Sequence, residues 1–284
     1  MKLPAMNVVG ALIPAAGLAL GACSVPPRAG PADLPGWKLT LADEFEGPAG
    51  AAPDGAVWGY DLGGHGWGNN ELQCYTRSTD NCALDGRGNL VIRALKGQTA
   101  DDRGNTREYS SARVLTKGRF AQLYGRFEAR VKLPRGKGIW PAFWMLGENI
   151  GSAGWPRCGE IDIMEFLGHD SSTAYTTVHG PGYSGSEGKG APFRIAPGRS
   201  FTEGFHVFAV EWSPEKVEWF IDGESCHTVT PADLSGKEWV FNTPFFLILN
   251  LAVGGNWPGN PDEHTQFPQE YVIDYVRAYA KQGG

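Results

Sequence analysis

Short stretches of alternating apolar and polar residues, separated by turn residues, run along most of the chain. Gly125 to Leu133 reads GRFEARVKL, a period-2 pattern that predicts a half-buried strand. Val207 to Trp212 and Val217 to Ile221 flank a Ser-Pro-Glu-Lys turn, and the Asp222-Gly223 dipeptide after them predicts a hairpin. Gly88-Asn89 leads into a strand at Leu90-Val91-Ile92, and Val272 to Tyr279 reads as a closing strand. No segment carries a long helical period; Pro231 to Leu234 predicts one short turn of helix. Many short strands in about 250 residues predict an all-β fold, a jelly-roll sandwich of two curved antiparallel sheets with a concave cleft.

One stretch combines this pattern with chemistry. Gly159 to Phe166 reads GEIDIMEF. On a strand Glu160 and Asp162 share one face while Ile161 and Ile163 point to the core. Strict alternation would turn Glu165 inward. A β-bulge near Ile163-Met164 returns it to the face of Glu160. Four strand steps span roughly 13 Å. Two glutamates leaning together can close this to about 5–6 Å between carboxyls, near the separation of a retaining glycosidase. Three acids so close cannot all ionise cheaply, so at least one keeps a proton. Glu165 then serves as general acid and base, Glu160 as nucleophile, and Asp162 shares a proton with Glu160. The same acids on a solvated strand face, in a Ca²⁺ or Mg²⁺ site, or in a lectin remain open alternatives at this point.

The surrounding sequence favours catalysis. A hairpin at Gly168 to Ser172 brings Ala174 to His179 back beside the acids, with His179 opposite Glu160. Trp140 and Trp144 share a strand face, and Trp155 precedes the acids. Flat aromatic rings can stack on sugars, and the ten Trp and nine Tyr exceed what packing alone needs.

Composition narrows the partners. A net charge of −6 disfavours nucleic acid and leaves a neutral polysaccharide open. The apolar run from Val8 to Leu20 is too short to span a bilayer well. Residues 1–22 are expected to be a signal peptide of lipoprotein type, with Cys23 as the lipidated residue. Residues 23–35 are a Pro/Gly/Ala tether, and 36–281 the catalytic jelly-roll domain. Export, as a cell-envelope lipoprotein or, with an ordinary signal peptide and Cys23 incidental, as a secreted protein, membrane contact only through that lipid, and a monomeric state follow as expectations. Cys74, Cys82, Cys158 and Cys226 are then left either to bridge or to stay free.

The chain resembles glycoside hydrolase family 16, above all its bacterial endo-β-1,3-glucanases. The resemblance spans about residues 35–281. It rests on GWGNNELQCYT at 66–76, GRFEARVKLP at 125–134, GIWPAFWMLG at 138–147, WPRCGEIDIMEFLG at 155–168, TTVHG at 176–180 and LNLAVGGNWPG at 249–259. It implies a retaining mechanism with Glu160, Asp162 and Glu165 as nucleophile, helper and acid/base, and no cofactor for catalysis. It also implies sugar contacts from Asn70, Trp140, Trp144, Trp155, His179 and Trp257. A structural Ca²⁺ away from the chemistry would be held by Glu44, the Gly88 carbonyl and Asp274, whose oxygens are the hard donors this ion prefers. Cys74 and Cys226 depart from the family pattern, so a stacking contact is lost or a disulfide gained at Cys74. A glucan-binding protein without turnover, and a hydrolase or transglycosylase of the same family acting on mixed-linkage glucan or a galactan, are the competing readings.

Overall fold

The computed structural model describes residues 30–283. The expected signal segment and Cys23 lie outside the described residues, as does most of the tether. Seventeen strands lie among the described residues. In chain order they are β1 (Trp37–Asp43), β2 (Gly59–Asp61), β3 (Gln73–Tyr75), β4 (Cys82–Leu84), β5 (Leu90–Ala100), β6 (Thr106–Ser111), β7 (Arg113–Leu115), β8 (Gly125–Lys132) and β9 (Ile139–Gly147). Then follow β10 (Glu160–Phe166), β11 (Thr173–His179), β12 (Lys189–Arg194), β13 (His206–Trp212), β14 (Val217–Ile221), β15 (Glu224–Val229), β16 (Phe245–Val253) and β17 (Gln269–Lys281). The one α-helix among these residues is a single turn, α1 (Ile150–Ala153), and Pro231–Leu234 is the short turn its sequence predicts, of 3₁₀ type.

The strands form two sheets. A ten-stranded sheet runs β15-β14-β13-β8-β17-β5-β6-β3, with β1 beside β17 and β4 beside β5. A seven-stranded sheet runs β12-β11-β10-β9-β16-β7-β2. Pairing is antiparallel except between β3 and β6. The hairpin at Asp222-Gly223 forms because both residues adopt positive φ, 52° and 87°, which a tight two-residue turn demands.

Between the sheets lies one apolar core. Phe127, Ala129 and Val131 of β8 and Phe208, Val210 and Trp212 of β13 meet Ile139, Phe143 and Met145 of β9, all 2% exposed or less. Every second residue of β9 therefore points inward. The residues between them, Trp140, Ala142, Trp144 and Leu146, point the other way and pave a cleft of about 910 Å³. The fold thus sets a rigid wall of strands beneath the cleft, each strand contributing alternate side chains.

All four described cysteines are free. Cys74 sits on β3 and Cys82 on β4; these strands pair with β6 and β5, not with each other. Cys74 is buried as a small apolar residue, so the departure at this position brings no disulfide.

Candidate active site

Strand β10 carries the irregularity its sequence predicts. Against β11, Glu160 pairs with His179, Ile161 with Val178 and Asp162 with Thr177; the register then slips and resumes with Glu165 opposite Tyr175. Against β9 the slip falls between Asp162 and Met164. Ile163 and Met164, adjacent in sequence, are both buried, at 1% and 0% exposure. Two consecutive apolar side chains enter the core, each worth about 1.5–3 kcal/mol of burial, and the following Glu165 emerges on the cleft wall. The bulge disturbs the ladder, and the Asp162 carbonyl accepts a 2.8 Å hydrogen bond from the indole of Trp219, which reaches across from β14. Gly159 enters the strand at φ 78°, and a Cβ there would meet the Phe245 ring at 2.8 Å.

Each glutamate is held by a tryptophan N–H. Trp155 Nε1 donates to Glu160 Oε2 at 2.7 Å, and Trp140 Nε1 donates to Glu165 Oε1 at 3.1 Å. Sequence reasoning assigned these rings to stacking; the structure uses their edges as donors as well. Trp144 Nε1 donates to Asn250 Oδ1 at 2.7 Å. Trp257, 42% exposed, stands edge-on to Trp140 and to Tyr175 at the cleft margin. His179 lies where the hairpin register predicts. Its Nε2 is 3.1 Å from Asp162 Oδ2 and 3.9 Å from Glu160 Oε1. Gly188 lets the next loop lie on this ring, since a Cβ there would approach the imidazole to 2.5 Å.

Burial dominates the electrostatics of the three acids. It pushes the Glu160 carboxyl up to about 8, helped by the charge of Asp162 and opposed by His179 and the Trp155 donor. Burial likewise lifts Asp162 to about 7, against a hydrogen bond with Glu160. Glu165 is raised well above the ordinary carboxylate range by burial, then by the charges of Asp162 and Glu160. The site therefore holds protons at neutral pH, and Glu165, pressed by burial and by two neighbouring carboxylates, is one of the groups that keeps one. A cleft with one acid that keeps its proton and another that can ionise is equipped for acid-assisted displacement at a sugar carbon.

The sequence model for glycosyl hydrolases family 16 matches residues 73–277. The chain belongs to this family. It is 42% identical over 255 residues to a protein described as a beta-glucanase from Rhodothermus marinus, covering 86% of each chain. It is 38% identical over 261 residues to a glucan endo-1,3-beta-glucosidase from Cryptopygus antarcticus, covering 86% of this chain and 92% of that one. The laminarinase catalytic domain of Thermotoga maritima superposes with a TM-score of 0.82 at 50% identity, covering 87% of this chain and 99% of that one. Family 16 membership and this neighbour make the two-sheet sandwich a jelly roll of the laminarinase kind.

Other residues of this family 16 cleft escaped the sequence reading. Arg113 lies between two indoles, 4.8 Å from the Trp67 ring and 4.6 Å from that of Trp144, with Nε 3.0 Å from Asp61. Glu71 lines the cleft and is buried. It accepts from Gln73 at 2.6 Å and from the Tyr75 hydroxyl at 3.3 Å, and burial raises its carboxyl above the usual range. Asn70, expected to contact sugar, donates to Asn256 Oδ1 at 2.9 Å, and Asn256 lines the cleft together with Asn69 and Glu71. Asn70 has φ 57°, and this left-handed turn directs consecutive side chains in ways no strand or helix period describes.

The residues expected to hold Ca²⁺ belong to the other sheet. Glu44 follows β1, Gly88 precedes β5, and Asp274 is in β17. Arg277 donates to both oxygens of Glu44, at 2.8 and 3.0 Å, and Arg130 donates to Asp274 Oδ2 at 2.6 Å. Each carboxylate thus has a guanidinium partner, and Glu44 still offers carboxylate and backbone carbonyl oxygens of the hard class this ion takes. Asp274 and the Gly88 carbonyl are oxygen donors of the right class.

Proposed function

We propose that this chain is an endo-acting hydrolase of β-1,3-glucan that works with retention, Glu160 being the nucleophile and Glu165 the acid/base. The observation that carries the reading is the β10 bulge, which sets both glutamates on the wall of one cleft. Protonated Glu165 gives its proton to the leaving glycosidic oxygen while ionised Glu160 attacks the anomeric carbon. Burial raises both neighbouring carboxyls, so the pair holds a proton between them near neutral pH. Attack requires that proton on Asp162, and the Trp155 N–H and His179 favour the ionised Glu160. Once Glu160 is esterified its charge is gone, the pull on the Glu165 proton weakens, and Glu165 acts as base toward water. Trp140, Trp144, Trp155 and Trp257 offer apolar ring faces along the cleft to the sugars on either side of the cut.

The test is release of reducing ends from laminarin. The parent should liberate them, and Glu160→Gln should lose several orders of magnitude in kcat while still binding glucan. A parent that binds laminarin without turnover would instead make the protein a glucan-binding module.

The protein is further proposed to be an exported monomer tethered through a lipid on Cys23, as residues 1–35 imply. Mass spectrometry of the mature N-terminus and its sedimentation test both parts. A structural Ca²⁺ is assigned to Glu44, Asp274 and the Gly88 carbonyl. Chelation should then lower the Tm, and an unchanged Tm removes the ion from the account.

A further inference from the structure

Glu160, Asp162 and His179 do more than bracket a sugar carbon. They are a group of three potential metal ligands whose donor atoms all lie within 4.8 Å of one another. Asp162 is 2% exposed, yet its Oδ2 has no hydrogen-bond partner among the described residues. His179 Nε2 stands 3.1 Å away but is not aligned to donate to it. A buried carboxylate oxygen and a ring nitrogen thus converge on shared space without satisfying each other, which is costly unless a third species meets both.

We propose that in the sugar-free cleft Glu160 Oε1, Asp162 Oδ2 and His179 Nε2 bind one divalent ion of the zinc class, and that the ion reversibly excludes glucan.

The distances fit such an ion. Ligand bonds of about 2.0–2.2 Å in a tetrahedron place donors roughly 3.3–3.5 Å apart. The two separations from His179, 3.1 and 3.9 Å, bracket that value, and all three donors lie within 4.8 Å of one another, so closing the site draws the Glu160 and Asp162 oxygens together by side-chain rotation. Trp155 holds Glu160 by Oε2, which leaves Oε1 turned toward the other two donors. His179 Nδ1 also lacks a partner among the described residues, so the ring is not locked as one tautomer and Nε2 can present its lone pair. Two carboxylates and one imidazole satisfy Zn²⁺ or Co²⁺ and leave the fourth position open to the cleft. Ca²⁺ takes oxygen donors, so a site with an imidazole nitrogen among its three ligands disfavours it. The ion would sit on the oxygen assigned to attack, so its effect on turnover rests on the proposed catalytic role of Glu160; its binding does not.

Calorimetric titration of the full chain with ZnCl₂, without sugar, tests the site. One Zn²⁺ per chain is expected, with affinity falling at least about tenfold in both His179→Gln and Asp162→Asn. Mg²⁺ should give no heat. In laminarin assays Zn²⁺ should raise the apparent KM, leave kcat unchanged, and be reversed by EDTA. Absence of a single site in the parent, or parent-like affinity in either variant, overturns the inference. Should the variants not fold, the visible spectrum of the parent with Co²⁺ decides: intense four-coordinate bands support the site, and a weak octahedral spectrum refutes it. Binding is read without turnover, so the two readings fail separately. A parent that hydrolyses laminarin but takes no Zn²⁺ sinks this inference alone. One that takes Zn²⁺ but never hydrolyses sinks the catalytic reading alone.

Discussion

Trp155 shows how one side chain can serve two purposes. Its ring is 52% exposed at the cleft mouth, yet its N–H reaches Glu160 at 2.7 Å. Trp155→Phe keeps an aromatic face and removes the donor. A hydrogen bond to a charged group is worth about 1.5–3 kcal/mol, and exposure places this one at the low end. Roughly tenfold should be lost in kcat, with KM little changed, in steady-state laminarin kinetics. A change confined to KM would mean the ring only stacks. The acids were legible in the sequence because glutamates on a strand declare their face by spacing. Arg113 was not, because its place depends on Trp67 and Trp144, residues far from it in sequence that only the fold brings together.

The bulge in β10 is the element on which the site depends. Its signal was local: Ile163-Met164 breaks the alternation where the second glutamate needs a change of phase. Trp219, donating from the opposite sheet to the Asp162 carbonyl, fixes the irregularity and was not readable, since the cross-sheet contact has no local signature. The same contrast holds for loops. The β10–β11 hairpin predicted the His179 register because a short turn fixes pairing. The segment around Asn70 follows no period, so the sequence named Asn70 but not Asn69 and Glu71, which line the cleft. Phase gives a sharp test. Deleting Met164 restores a regular pleat and keeps both glutamates on the cleft wall, at about 2–5 kcal/mol for the lost core side chain. Inserting Ala after Met164 sends the second glutamate into the core. The insertion should abolish laminarin hydrolysis and lower the Tm further than the deletion does. Equal damage from both would show that phase is not what matters.

Across the whole molecule, the fold class was readable because strand periodicity recurs along the chain, whereas the order of strands within the two sheets was not, since it rests on pairings between distant segments such as β3 with β6. The sandwich also sets the terms of stability. Its rigid wall confines three acids whose folded pKa values are raised by burial. The folded chain thus binds these protons more tightly than the unfolded chain. The stability this confers is complete below the ordinary carboxylate value near 4.5 and is lost as pH rises through about 8 for Glu160. Glu160→Gln, which cannot ionise, should therefore gain in Tm over the parent as pH goes from 4.5 to 8.5. A Tm difference independent of pH would show that Glu160 is not strained by ionisation.

The most direct test of the division of labour between the two glutamates is the anomeric configuration of the glycosyl azide formed by alanine variants given azide and an activated aryl β-glucan oligosaccharide, read by ¹H NMR. Glu160→Ala should yield the α-azide, because azide attacks from the face the nucleophile has vacated. Glu165→Ala should yield the β-azide, because azide intercepts a glycosyl ester on Glu160. The same anomer from both variants, or the reverse assignment, would contradict the account.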